Sequence, residues 1–352
     1  MPTTDLIEDS RPSSTEEKKK LPKHIPQLDG LRGMAILMVF AWHAFGAPLM
    51  WSGVDLFFIL SGYLITGILM RDRARQQPLA RSMKIFYLRR AQRILPAYLL
   101  VLLLFGPFLH VNWGRLWPYY AFFLQNVPYA LGWVGLNLAP LWSLAVEQHF
   151  YLIWPFLVLL APRRILAPLL IAILLVEPVV RGFGTFVFHS SVAITTLTFF
   201  RLDAVAAGAA ISLWIPNADH NRARRLAGIV LAASMAIYAV LLTRPWFNRT
   251  HNTVAFNSLG YSFNILILGS IFVLVLLSDG ILKRVLSNSV LRYLGTISYA
   301  FYLAHEIVMD WVKQHVNGRP AIAAVTMAVT VAVASASWFF VERPVLAMGR
   351  TR

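Results

Sequence analysis

The run Leu31-Arg32-Gly33-Met34-Ala35-Ile36-Leu37-Met38-Val39-Phe40-Ala41-Trp42-His43 decides the fold. Beyond Arg32 it is apolar up to His43, and stretches like it recur along the whole chain. Each is roughly 17–25 residues long, the length a helix needs to cross ~30 Å of hydrocarbon. The pattern predicts spans near 34–50, 53–70, 94–110, 142–161, 165–181, 192–215, 226–243, 259–278, 293–312 and 321–341. The stretch 116–139, aromatic and rich in Pro and Gly, reads as an interfacial or re-entrant helix. Composition agrees: 58% of the residues are hydrophobic and only 14% charged, against about 25% charged in a soluble domain. The fold class expected is an all-α polytopic membrane protein of about ten transmembrane helices with a polar mid-membrane cavity.

The formal net charge of +16 would suggest nucleic acid on a soluble protein. Its distribution argues otherwise. With the N-terminus inside, Lys and Arg favour the inner segments over the outer loops by roughly four to one, the positive-inside pattern. This predicts an even number of spans, both termini cytosolic, contact with anionic lipid and no nucleic-acid partner. Residues 1–24 are polar, with Ser13-Ser14, Glu16-Glu17 and Lys18-Lys19-Lys20. They hold no apolar run for a signal peptide and read as a disordered cytosolic tail. Residues 25–344 then form the membrane domain and 345–352 a short cytosolic tail.

Ionisable residues within the spans cost about 2.5–3.5 kcal/mol each on insertion scales and are functional candidates by default. His43 follows Arg32 by eleven residues, which brings it back to within about 20° of the same helix face after a rise of about 16 Å. One face thus carries a cation at the cytosolic rim and an imidazole near mid-membrane, which suits a ligand with an anionic head and a reactive far end. The plainer alternative is a buried, hydrogen-bonded His and a snorkelling Arg. Glu147 is expected at a depth where it can orient His43 or receive its proton; it can instead pair with Arg201 or His305 as helix packing. Asp55, Arg201 and Asp203 belong in a wet cavity or a buried ion pair, and His305, with Glu306 beside it, lies at similar depth. Arg89 and Arg93 share a helix face and Arg90 flanks them. They suit phosphates at the cytosolic mouth through forked hydrogen bonds, or act only as positive-inside anchors.

Cysteine is absent, so disulfides, thiolate metal sites and acyl-cysteine intermediates are excluded. Ser61 lacks the first Gly of a nucleophile elbow. No Walker A or His-Glu-x-x-His motif occurs, and the scattered His residues give no zinc pattern; no metal is expected.

Several motifs together resemble the acyltransferase-3 family of membrane acyltransferases. They are Leu28-Asp29-Gly30-Leu31-Arg32-Gly33 followed by His43, Gly53–Tyr63, the Arg-rich Tyr87–Tyr98, Trp142–Tyr151, Arg201-Leu202-Asp203 with Gly208, Leu294–Tyr299 through His305, and Val341-Glu342-Arg343-Pro344. The resemblance runs in order over about 28–344. It implies a ten-helix domain in a bacterial inner membrane that takes acyl groups, acetyl by default, from acyl-CoA in the cytosol. The acceptor hydroxyl would belong to a carbohydrate, glycolipid or macrolide. Arg32 and His43 match the family's essential pair. Glu147 matches the first Glu of its Val-Glu-Glu-Gln, but Gln148 and His149 depart from the rest, leaving Glu147 to carry any carboxylate role alone. Some members append a periplasmic hydrolase-like domain; the expectation here is the membrane module alone.

The resulting expectation has Arg32, Arg89, Arg90 and Arg93 holding the coenzyme phosphates. His43 is then general base on the acceptor hydroxyl, or is itself acylated, and Arg201 is an oxyanion donor. A transporter of sugar or lipid-linked envelope intermediates is the alternative class, against which the lack of internal repeats and paired broken helices argues.

Overall fold

In the computed structural model, residues 25–108, 112–133 and 138–348 are described. The expected tail at 1–24 and the last four residues lie outside them. The described residues form helices and turns, with no strand among them. In chain order the helices are α1 (Pro26–Phe45), α2 (Gly53–Ala74), α3 (Leu79–Phe105), α4 (Trp113–Ala121), α5 (Asn126–Ala130), α6 (Leu141–Leu160), α7 (Arg163–Val187), α8 (Ser191–Thr196), α9 (Leu202–Trp214), α10 (His220–Leu242), α11 (Tyr261–Leu276), α12 (Ile281–Leu286), α13 (Ser289–Lys313), α14 (Arg319–Ser337) and α15 (Arg343–Met348). Short π-helical segments join Phe256–Gly260 to α11 and Trp338–Glu342 to α15.

Among the described residues, seven helices are long and apolar enough to cross a membrane. They coincide with the expected spans at 34–50, 53–70, 142–161, 165–181, 226–243, 259–278 and 321–341. The other three are helical but fall short for physical reasons. The expected span 192–215 is broken: α8 ends at Thr196, a 3-10 turn follows, and α9 has only 13 residues, about 20 Å of rise. The first half of α3 carries Arg81, Lys84, Arg89, Arg90 and Arg93, and α13 carries Arg292, His305, Glu306, Asp310 and Lys313. Within the stretch 116–139, of which 134–137 lie outside the described residues, the helices are α4 and α5, both too short to span.

The molecule's outside is greasy where a soluble protein's is polar. Leu175, Val179 and Phe183 form an i,i+4 stripe on α7 and are each 70% exposed, a surface stable only against lipid. Inside, α2 packs on α9 and α1 on α13. Both contacts depend on glycine. A Cβ on Gly62 would lie 2.0 Å from the Val205 carbonyl oxygen, and one on Gly208 2.0 Å from that of Ile59. Gly33 and Gly295 play the same part between α1 and α13, against Leu291 and Asp29. Small residues let backbones approach where lipid supplies no hydrophobic drive. The two contacts set the buried polar groups of α2 and α9, and of α1 and α13, against each other.

The ends of the first helix differ from expectation. The first helix begins at Pro26, not 34, and stops at Phe45 because Gly46 takes a left-handed conformation (φ 61°) and caps Trp42 O. His43 therefore occupies the last turn of α1 rather than its middle.

Candidate active site

His43 stands in a hydrogen-bonded chain built by the α1–α13 contact. His305 Nδ1 lies 2.7 Å from the Tyr302 carbonyl oxygen. A carbonyl only accepts, so Nδ1 carries the proton and Nε2 is left as acceptor. That Nε2 is 3.1 Å from His43 Nδ1, which also lies 3.0 Å from Val39 O. His43 Nδ1 must therefore be the donor. Its Nε2 meets Glu306 Oε1 at 2.7 Å, and a contact that short holds one shared proton between imidazole and carboxyl. His43, His305 and Glu306 offer ligand atoms within 4.8 Å of one another, the right types for a metal. However, Glu306 and His305 approach opposite nitrogens of the His43 ring, so the arrangement is a relay rather than a chelate. His305 is fully buried.

Three cavities follow one another along this face of α1. The largest, about 510 Å³, is lined by Arg32, Tyr63, Arg71, Arg163 and Asn217, with others. The second, about 110 Å³, shares Arg32 and Leu64 with the first and adds Ser61, Arg90, Arg93, Glu147 and Tyr151. The third, about 230 Å³, shares Val54 and Tyr302 with the second and holds His43, Glu306, Arg201, Arg249 and three tryptophans. Neighbouring cavities share wall residues at both junctions, so they abut in series. Arg32 lines the first two and His43 the third, separated on one helix by about 16 Å of rise.

The sequence-derived residues divide accordingly. Arg32, Arg90 and Arg93 line the cavities; Arg89 is exposed and lines none of the three. On α3 it is the i,i+3 pair Arg90–Arg93, not Arg89–Arg93, that faces inward. Arg93 also lies 3.8 Å from the buried Glu342. Glu147 accepts from Ser61 Oγ at 2.6 Å and from Tyr151 at 3.2 Å. It lines the second cavity rather than the third, so the carboxyl group on His43 is Glu306, not Glu147. Nor does Glu147 pair with Arg201 or His305.

Arg201 is not mid-helix but caps the N-terminus of α9. It is 1% exposed and ion-paired to Asp55 through Nη2. Its Nε and Nη1 have no hydrogen-bond partner, and it lines the third cavity. Asp55 also accepts from Asn264 on α11 at 2.6 Å and lines none of the three cavities. Asp203 does not line them either; it takes an ion pair with Arg181 Nη1 at 2.5 Å. Arg181 is fully buried inside α7, where it also meets Asn257 O and Ser262. Glu177 is buried as well. Asp203, Arg181 and Glu177 thus bolt α7 to α9.

Glu306, Arg71, Arg163 and Arg249 were not selected from sequence. Glu306 was one of few carboxylates inside a span, which is the signal that points to it. The three arginines read as ordinary loop charges, and only folding brings them to cavities.

The fold and site define an all-helical protein with seven candidate membrane spans among the described residues and arginine-lined cavities beside a histidine relay. The chain belongs to the family described as an acyltransferase domain, whose model matches residues 25–340. It is similar to O-acetyltransferase OatA of Staphylococcus aureus, 26% identical over 363 residues that cover 95% of this chain and 59% of that protein. It is also similar to peptidoglycan O-acetyltransferase OatA of Listeria monocytogenes, 29% identical over 371 residues, 92% of this chain and 56% of that protein. The chain spans a little over half the length of these curated relatives. No solved structure gives a significant match.

Proposed function

We propose that this chain transfers an acyl group, acetyl by the names of its relatives, from acyl-CoA to a hydroxyl of a cell-envelope carbohydrate such as peptidoglycan. The observation that carries the reading is the series of abutting cavities beside Arg32 and His43 on one helix face. A long donor with an anionic head needs that shape. Its phosphates sit against Arg32, Arg71 and Arg163 in the largest cavity, where guanidinium forks match phosphate oxygens. The pantetheine arm passes Arg90 and Tyr151, and the thioester reaches His43.

The chemistry is then acyl transfer with balanced protons. The acceptor hydroxyl enters the third cavity and takes the place of Glu306 at His43 Nε2. His43 removes its proton as the oxygen attacks the thioester carbonyl. A free N–H of Arg201 stabilises the tetrahedral oxyanion. Collapse breaks the carbon–sulfur bond, and the leaving thiolate takes the proton from His43. Glu306, displaced by the acceptor, carries off the proton it shared with Nε2 and so leaves that nitrogen free as the base, while the Val39 carbonyl and His305 keep the ring oriented through Nδ1. The ten-span topology with both termini cytosolic belongs to this reading, since it puts the Arg32 end on the coenzyme side.

The test is transfer from radiolabelled acetyl-CoA in membrane vesicles with a peptidoglycan-type oligosaccharide as acceptor. His43→Ala should abolish label incorporation with protein still in the membrane; normal transfer by that variant ends the proposal.

A further inference from the structure

The third cavity holds more positive donors than the reaction uses. Arg201 has two partnerless nitrogens, Nε and Nη1, although it is 1% exposed. One oxyanion occupies one of them. Arg249 lines the same cavity and its buried Nε is also without a hydrogen-bond partner. Among the described residues no carboxylate lies within ion-pair distance of Arg249. The cavity's own carboxylate, Glu306, is engaged by His43, and Asp55 answers only the Nη2 of Arg201. The arginines are fixed by aromatic rings. The guanidinium of Arg249 lies 4.8 Å from the ring centre of Trp51 and 5.4 Å from that of Trp42. That of Arg201 lies 4.7 Å from Tyr261 and 5.9 Å from Trp142. The rings cover the guanidinium faces. Arg249 also reaches the Tyr261 hydroxyl and Arg201 uses Nη2 on Asp55, so Arg249 Nε and Arg201 Nε and Nη1 are the donors left for an anion.

We infer that the third cavity is a subsite for a negatively charged acceptor, in which Arg249, aided by Arg201, holds a carboxylate or phosphate of the glycan while a nearby hydroxyl meets His43. The inference rests on the acyl-transfer reading for the identity of the acceptor as a glycan. The tryptophans supply flat apolar walls for the sugar ring, and the charge of the arginines supplies the selection.

The test uses the full chain in lipid nanodiscs with acetyl-CoA and three small acceptors: methyl β-D-glucuronide (carboxylate), glucose 1-phosphate (phosphate) and methyl β-D-glucoside (neutral). The readout is the ratio of kcat/KM for each charged acceptor over the neutral one, which cancels any misfolded fraction. The wild type should favour one charged acceptor by roughly tenfold or more, as expected for a charge-assisted contact. Which of the two it favours identifies the anion. In Arg249→Gln the ratio should fall toward one, and Arg249→Lys should restore part of it. A wild-type ratio near one, or a ratio that Arg249→Gln leaves intact, overturns the inference. Ligand-observed NMR of the same three compounds without donor separates the two readings. Charge-selective binding lost in Arg249→Gln, with no acyl transfer to any acceptor, removes the acyl-transfer reading and keeps the anionic subsite. Equal binding of charged and neutral compounds, with acyl transfer to all, does the reverse.

Discussion

Glu306 meets His43 at 2.7 Å, and this contact makes the sharpest prediction at the scale of single residues. Replacing the carboxyl by an amide keeps the shape but removes the shared proton, and the Gln side chain can donate to His43 Nε2 and hold its lone pair. Glu306→Gln should therefore lower kcat by about 10²-fold, within the range for acid–base groups, while the KM for the acyl donor moves little. His43→Ala should cost at least as much. Steady-state kinetics with the donor varied checks the split; a Glu306→Gln enzyme with unchanged kcat removes the carboxyl from the relay. The donor end gives a second, opposite signature. Arg71→Ala and Arg163→Ala should each raise donor KM by about tenfold, from the loss of a charged hydrogen bond worth about 1.5–3 kcal/mol, whereas Arg89→Ala should leave it within about twofold. Equal effects at Arg71 and Arg89 would mean that the phosphates do not bind in the largest cavity.

The helix contacts carry the next predictions. Gly208 lies so close to the Ile59 carbonyl that any larger side chain must push α9 from α2. Gly208→Val should destabilise by about 1–3 kcal/mol or more, the usual cost of overpacking, seen as a lower Tm in detergent. Asp203→Ala should cost about 3–5 kcal/mol, because Arg181 is then left buried without its closest partner; a Tm near wild type would refute that bolt. What the sequence disclosed at this scale follows from what pattern encodes. Apolar length is local, so each expected span contains a helix. The Arg32–His43 spacing is also local and survives intact. Helix ends depended on competing signals. The run through Gly46 to Met50 was read as span, yet Gly46 stops the helix. The expected span 165–181 stopped at Arg181, yet α7 continues to Val187, where Arg181 finds Asp203, Asn257 and Ser262. Glu306 against His43 and Arg249 against Trp51 depend on separate helices meeting, which no periodicity in one chain segment reports.

For the whole molecule the open question is which way the passage faces, and the chain's own composition makes that measurable. It contains no cysteine, so a single introduced thiol is the sole target for a membrane-impermeant maleimide. The Lys/Arg asymmetry puts the turn after α2 and the segment before α10 inside, and the segment between α10 and α11 outside. Gln77, Asp219 and Thr250 lie in those three places and are exposed. In intact cells a Thr250→Cys chain should label at once, while Gln77→Cys and Asp219→Cys should label only after the membrane is opened. The two inner positions test different things. Gln77 follows a helix that meets the length and hydropathy needed to span, whereas Asp219 follows the broken segment α8–α9, whose 13-residue helix is too short to cross alone. If that segment crosses the bilayer together with its flanking turns, Asp219 stays protected with Gln77. If it only dips in and returns, Asp219→Cys labels from outside while Thr250→Cys, beyond the span α10, becomes protected, the count drops below ten, and the orientation of every later helix has to be drawn again. Labelling of Gln77→Cys in intact cells would be more severe, since it would place Arg71 and the largest cavity on the side without acyl-CoA.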